Sequence, residues 1–204
     1  MKDYEVLASE RVFDGFFKMH RIELSHRSFR GGWCEPIVRE RVEELSAVAV
    51  LLYDPLADAV VLVEQFRIGM LGIQDPPWSL EVVAGFCDKA HERPDQVARR
   101  EVVEETGCEV TELREIGSFF VSPGFSVEQI SLFVGRIDSR QAQGIHGLPE
   151  EGEEIRVVVM PRTEAVQALF GRLSSTSVLI ALQWLERHRQ ELLESWGLLD
   201  QPSV

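Results

Sequence analysis

Three carboxylates crowd one short stretch of this sequence, Arg100-Glu101-Val102-Val103-Glu104-Glu105-Thr106-Gly107. If the stretch is helical, Glu101 and Glu105 stand at i and i+4, one above the other on one face, with Glu104 beside them. Like charges at that spacing repel by roughly a few tenths of a kcal/mol per pair. The arrangement becomes reasonable if a hard cation sits between the carboxylates. Mg²⁺ takes such oxygens, keeps several waters and commonly shares its site with substrate phosphates. Taken alone, these residues are more often a solvated acidic face. A second cluster, Glu150, Glu151, Glu153 and Glu154, lies on a glycine-bearing stretch. It reads either as an acidic surface turn or as a flexible loop that brings a proton acceptor to a closing site.

The elements that must position these groups are legible. Pro94 suits a first helical turn, Asp95 complements the helix dipole there, and Gly107 suits a left-handed C-terminal position, so a helix is predicted between them. Val97, Ala98 and Val102 form its apolar stripe. Before it, Leu80 to Ala84 reads as a short strand ending at Gly85. Ala47 to Tyr53 and Ala59 to Phe66 read as a buried hairpin turning at Asp54-Pro55. Strands are expected at about Val110 to Phe120, Gln129 to Val134 and Ile155 to Met160. Helices are expected at Thr163 to Gly171 and Ser177 to Trp196, and a loop over Gln141 to Glu154. Strands interleaved with a few helices indicate an α/β fold, a mixed sheet covered by helices. Two parts are expected, a β segment over 1–45 and a core domain over 46–204. The first reads as strands, Phe16 to Ile22 and Ile37 to Val42 among them. It has too few apolar residues for a core of its own and must pack on something else, a partner chain being one candidate.

Composition removes several functions. The 204 residues carry 34 Asp and Glu against 21 Lys and Arg, a formal charge of −13. That balance argues against nucleic-acid polymers and polybasic membrane anchoring. No apolar run approaches the ~20 residues that span a bilayer. The N-terminal MKDYEVLASE carries acids where a secretory signal carries its apolar region. Cys34, Cys87 and Cys108 are an odd number without C-x-x-C spacing, which argues against a disulfide framework or a zinc site. A cytoplasmic protein is the expectation.

The helix and the loop before it resemble the box of the Nudix hydrolase family, G-x5-E-x7-R-E-U-x-E-E-x-G-U with U apolar. Glu92, Arg100, Glu101, Val102, Glu104, Glu105, Gly107 and Cys108 match in register. One departure is present: six residues rather than five separate Gly85 from Glu92. Further segments resemble the bacterial ADP-ribose pyrophosphatase subfamily. They include Gly15-Phe16-Phe17, Arg39-Glu40, Ser122-Pro123-Gly124, Gly144-Ile145-His146-Gly147, Glu151-Gly152-Glu153 and Ala181 to Leu185.

The resemblance implies a Nudix-type α/β/α sandwich with the N-terminal β segment swapped in a homodimer. It implies an enzyme that hydrolyses the diphosphate of ADP-ribose to AMP and ribose 5-phosphate with Mg²⁺, Mn²⁺ being a substitute. By the same resemblance the Ala84 carbonyl, Glu101, Glu105 and Glu153 would hold the metal, and Glu151 and Glu104 would be the catalytic carboxylates. Phe16 would stack on adenine, while Arg39, Glu40, Arg67 and Glu128 would contact the nucleotide, its phosphates or the terminal ribose. Alternatives are a Nudix hydrolase of another nucleoside diphosphate derivative, such as a nucleotide sugar or dinucleotide, and a non-catalytic ADP-ribose-binding module.

Overall fold

The computed structural model describes residues 2–43 and 46–199, and the side chain of Glu151 lies outside the described residues. The chain forms two compact units, Met1–Ser46 with Phe119–Ile130, and Ala47–Ser118 with Ser131–Val204.

The first unit is an antiparallel meander of β1 (Tyr4–Asp14), β2 (Lys18–His26) and β3 (Ile37–Glu43) in that order. Every residue of β1 is exposed, and within β2 only Ile22 and Ser25 are buried. The unit buries little apolar surface of its own, and Val6, Leu7, Val12 and Phe13 of β1 are exposed. The 119–130 segment joins this unit through backbone bonds, Val42 N–H to Phe125 O at 2.7 Å and Val127 N–H to Val42 O at 3.3 Å. Phe16 and Phe17, expected at the start of a strand, lie instead in the β1–β2 turn with their rings edge to face at 4.8 Å. The chain reverses there because Gly15 N–H bonds Phe17 O, and because Gly15 has no side chain to meet the Phe13 ring, 2.6 Å from where a Cβ would stand.

The second unit is built on β4 (Ala47–Asp54) and β5 (Ala59–Phe66), followed by β6 (Trp78–Glu81), β7 (Val83–Phe86), α1 (Pro94–Thr106) and most of β8 (Glu112–Phe120) and β9 (Gln129–Arg136). It closes with β10 (Ile145–His146), β11 (Ile155–Pro161), α2 (Arg162–Gln167) and α3 (Thr176–Ser195). The sheet order is β10-β11-β5-β4-β9-β8, with β6 on β5 and β7 on β4. All of β4 is buried. Its alternation sends Val48, Val50 and Leu52 into a core shared with Val97, Ala98 and Val102 of α1,. On the other face Tyr53 stacks on Trp196 at 6.3 Å and accepts from Arg189 Nε of α3 at 2.8 Å. Helices thus cover both faces, giving the expected α/β/α sandwich. The stretch Leu80 to Ala84 is not one strand. It breaks at Val82, where the chain leaves its pairing with β5 and takes up one with β4.

Asp54 ends β4 and organises two connections. Its Oδ1 accepts from the Leu56 and Ala57 amides at 2.9 and 3.1 Å, and its Oδ2 from the Ser139 amide and hydroxyl at 2.9 and 2.6 Å. Burial pushes this carboxyl up, but the bonds from Ser139, Ala57 and Leu56 outweigh it and hold the group below its usual range. Asp54→Ala leaves buried donors unsatisfied and is expected to destabilise the fold by about 3 kcal/mol, read as a lowered urea midpoint. The wild-type contribution is complete above about pH 4 and is lost as pH falls through the depressed native value.

Candidate active site

The local sequence makes α1 as anticipated. Arg93 N–H bonds Gln96 Oε1 at 3.0 Å at its start. Gly107 ends it at φ 68°, donating to Val103 O at 2.9 Å. Arg99 Nη1 ties the helix to Val110 O at 3.0 Å. With Val97, Ala98 and Val102 fixed on the sheet, Glu101 and Glu105 are turned toward β7. There the register Val48↔Gly85 and Ala49↔Ala84 holds the strand against the hairpin core.

Glu105 is only 3 % exposed. Its Oε2 accepts from the Ala84 amide at 3.3 Å. Glu101 lies over Gly85 so closely that a Cβ there would stand 2.0 Å from the Glu101 carboxyl carbon. Burial raises the Glu105 carboxyl well above its usual range, and the charges of Glu101 and Glu153 add to this, while the Ala84 amide and Arg67 oppose it. Burial likewise raises Glu101 to about 7, with Arg100 pulling down and Glu104 and Glu153 pushing up. Glu153 therefore acts on both helix carboxylates, and its Oε2 accepts from the Leu148 amide at 3.4 Å.

Arg100 gathers the remaining acids. It meets Glu101 Oε1 at 2.7 Å, Glu104 Oε2 at 2.9 Å, and Glu92 and Asp88 at 3.4 Å each. It pins the helix glutamates, as expected for a charge-assisted fork. The additional residue between Gly85 and Glu92 is taken up in a turn closed by Glu92 N–H to Lys89 O at 3.2 Å, with His91 at φ 72°.

Arg67 follows β5 and is held by Glu81 of β6, Nη2 to Oε2 at 2.8 Å and Nε to Oε1 at 3.4 Å. The charges of Glu105 and Glu153 also act on it. The second unit thus brings together Ala84, Glu101, Glu104, Glu105, Glu153 and Arg67. Glu81 was not singled out from the sequence, although one charge in the apolar run Leu80 to Ala84 is a signal that it has a partner. The proposed base Glu151 lies in the short helical turn Pro149–Glu151, its side chain outside the described residues. Phe16, Arg39, Glu40 and Glu128 all fall in the first unit. Phe16 is 82 % exposed and lies past the Lys18↔Glu43 end of the β2–β3 ladder. Arg39 and Glu40 sit mid-ladder opposite Ile22 and Arg21. Glu128 begins where Val121 N–H meets its carbonyl at 3.2 Å.

Among the described residues, no three His, Cys, Asp or Glu side chains form a closed metal-binding group. The donor set nonetheless fits a hard cation. Glu101 and Glu105 present carboxylate oxygens whose charged forms burial disfavours, the kind of donor a hard cation takes,. Among the described residues, no helix is long and apolar enough to cross a membrane.

Sheet, helix layers and carboxylate cluster together define an α/β/α sandwich that gathers carboxylates along one helix. The NUDIX domain model matches residues 43–180, and the chain belongs to that family. It is 42 % identical over 199 residues to an ADP-ribose pyrophosphatase of Haemophilus influenzae, covering 96 % of this chain and 91 % of that one. An ADP-ribose pyrophosphatase of Shigella flexneri is 40 % identical over 196 residues, with 96 % and 93 % covered. A GDP-mannose pyrophosphatase of Yersinia enterocolitica is 29 % identical over 186 residues, with 90 % and 95 % covered. The fold also matches a solved structure described as an ADP compounds hydrolase, at TM-score 0.70 and 19 % identity over 98 % of both chains.

Proposed function

We propose that this protein hydrolyses the diphosphate of ADP-ribose to AMP and ribose 5-phosphate with Mg²⁺. Half-buried Glu101 over Gly85 and buried Glu105 on the Ala84 amide, two carboxylates whose charged forms burial disfavours, carry the reading. The near-full-length relatives at 40 % identity or more supply the substrate. Glu101, Glu105, Glu153 and the Ala84 carbonyl would hold Mg²⁺, with Mn²⁺ as a substitute. When bound, the metal supplies neutralisation of the diphosphate and Lewis acidity toward the attacking water. Glu151 accepts the proton of that water, and Glu104 keeps Arg100 in place beside Glu101. Arg67, aligned by Glu81, presents a guanidinium to phosphate oxygens. Arg39, Glu40 and Glu128 contact the nucleotide or the terminal ribose.

The test is a panel of ADP-ribose, GDP-mannose, dinucleotides and nucleoside triphosphates, assayed for mononucleotide release with Mg²⁺ and with a chelator. ADP-ribose should be preferred and the chelator should stop turnover. The GDP-mannose relative gives the rival its best footing, and turnover of that sugar nucleotide about a hundred times more efficiently would overturn the ADP-ribose reading. Glu151→Gln should lower kcat by about 10²-fold or more with an unchanged melting temperature. Binding without product in a single turnover would replace an enzyme with a sensor.

The exposed Phe16 and the nearly coreless first unit support a homodimer in which this segment is exchanged and Phe16 stacks on the partner's adenine. Sedimentation should give twice the 23.1 kDa chain mass, and Phe16→Ala should raise KM several-fold with kcat little changed. A monomer mass would remove this role for Phe16.

A further inference from the structure

The stretch Gln141 to Glu154 reads in the sequence as one long loop, yet it is fastened at several points. Ala142 is buried in the core with Val97 and Val102. Gly144 O accepts from Val157 N–H at 3.1 Å, and β10 pairs with β11 through Ile145↔Arg156 and His146↔Ile155. Beyond β10 the chain crosses to α1. Gly147 N–H donates to Glu104 O at 3.3 Å. The His146 ring lies on Gly107 so closely that a Cβ there would be 2.7 Å from its Cε1. The ring is held in that orientation by a bond between Nε2 and Gln143 O at 2.9 Å. Only then does the chain make its excursion, closed by Glu153 N–H to Leu148 O at 3.2 Å. Gly147 itself packs against Glu153, where a Cβ would meet the Glu153 Cβ at 2.9 Å.

We propose that His146 is a positioning residue, a latch that docks the base of the 148–153 excursion on the C-terminal turn of α1. It thereby sets where Glu151 and Glu153 stand relative to Glu101 and Glu105. The ring works as a shaped wedge. Gly107 admits it because it has no Cβ, and the bond to Gln143 O fixes the ring. The Gly147 amide then finds the Glu104 carbonyl, one residue from Glu105. Without the ring, the excursion keeps its internal closure but loses its register against the helix. Misplacement of a reacting group by about 1 Å lowers turnover by as much as 10²-fold.

The inference rests on the function proposed above for the Glu151 and Glu153 loop, and its test has an arm that does not. His146→Ala is compared with wild type by amide hydrogen exchange over residues 143–153 and by steady-state kinetics with ADP-ribose and Mg²⁺. Exchange of the Gly147 amide should quicken at least tenfold while that of the Glu153 amide stays as in wild type, with kcat reduced about 10- to 100-fold, KM within a few-fold and the melting temperature nearly unchanged. Unchanged exchange at Gly147 overturns the latch. So does faster exchange with unchanged kcat, since the contact would then be structural only. A His146→Asn variant, which keeps a donor for Gln143 O without the ring, should behave like Ala if the wedge matters, and like wild type if the bond alone does. Absence of ADP-ribose turnover in wild type would sink the proposed function instead, leaving the exchange result to decide whether the latch exists.

Discussion

Glu105→Gln is expected to reduce turnover of ADP-ribose by about 10³-fold while raising the melting temperature of the metal-free protein. The two effects have one cause. At 3 % exposure the Glu105 carboxyl is removed from water and faces the charges of Glu101 and Glu153, with one backbone amide and Arg67 to offset them. Its ionised form is disfavoured by the fold. Gln keeps an acceptor for the Ala84 amide and removes the charge, so the fold gains what the site loses. The pH dependence separates this from a packing effect. The group's ordinary value of 4.5 is raised well above that in the native state, so the folded protein keeps a proton that the unfolded chain has released. Stability therefore falls as pH rises through this window. Melting temperatures at about pH 5 and about pH 8 in chelator should differ more for wild type than for the variant. A lowered melting temperature at both pH values with near-normal turnover would refute the assignment.

Gly85→Ala should produce the converse separation, a loss of about 10²-fold in kcat with a melting temperature close to wild type. The new Cβ would lie 2.0 Å from Glu101 Cδ and 2.2 Å from its Oε1. Those atoms are the far end of a side chain that can swing aside, so the fold survives. The backbone has no need of glycine there for its own conformation, because Gly85 is not among the residues with positive φ. What cannot survive is the place of the Glu101 carboxylate over the strand. The double variant Gly85→Ala with Glu101→Gln should be no slower than Glu101→Gln alone, because both changes remove the same group. Additive losses would mean that Gly85 acts through something other than Glu101.

The helix and its stacked glutamates were legible because everything that makes them is local. Pro94, Asp95 and Gly107 mark the ends, and i, i+4 spacing decides the face. The hairpin of β4 and β5 was legible for the same reason. The break at Val82 was not, since Leu80 to Ala84 is apolar on both sides and a change of strand partner leaves no trace in the periodicity. Phe16 and Phe17 read as strand residues because their types favour strands, and only the Gly15–Phe17 bond puts them in a turn. The ion pair of Arg67 with Glu81 joins the residue after β5 to one on β6, fourteen positions apart, and the residues 119–130 that complete the first unit come from far along the chain. Such pairings depend on topology, which no local pattern encodes. Arg100 is the exception. Its place beside Glu101 and four residues before Glu104 puts those ion pairs within helical spacing, while its reach back to Glu92 and Asp88 needs the fold.

The turn that absorbs the additional residue before Glu92 has a consequence for engineering. Gly85 at one end is fixed by the sheet, and Glu92 at the other is fixed by Arg100. Between these two anchors the chain has length to spare, and His91 takes it up at a backbone conformation that glycine or asparagine would adopt more comfortably,. The spacing between the two is therefore a dimension to be met rather than a tally of residues to be matched. A further residue placed between Ala90 and Glu92 should therefore leave turnover nearly unchanged, whereas one that shifts Asp88 or Glu92 from Arg100 should lower it.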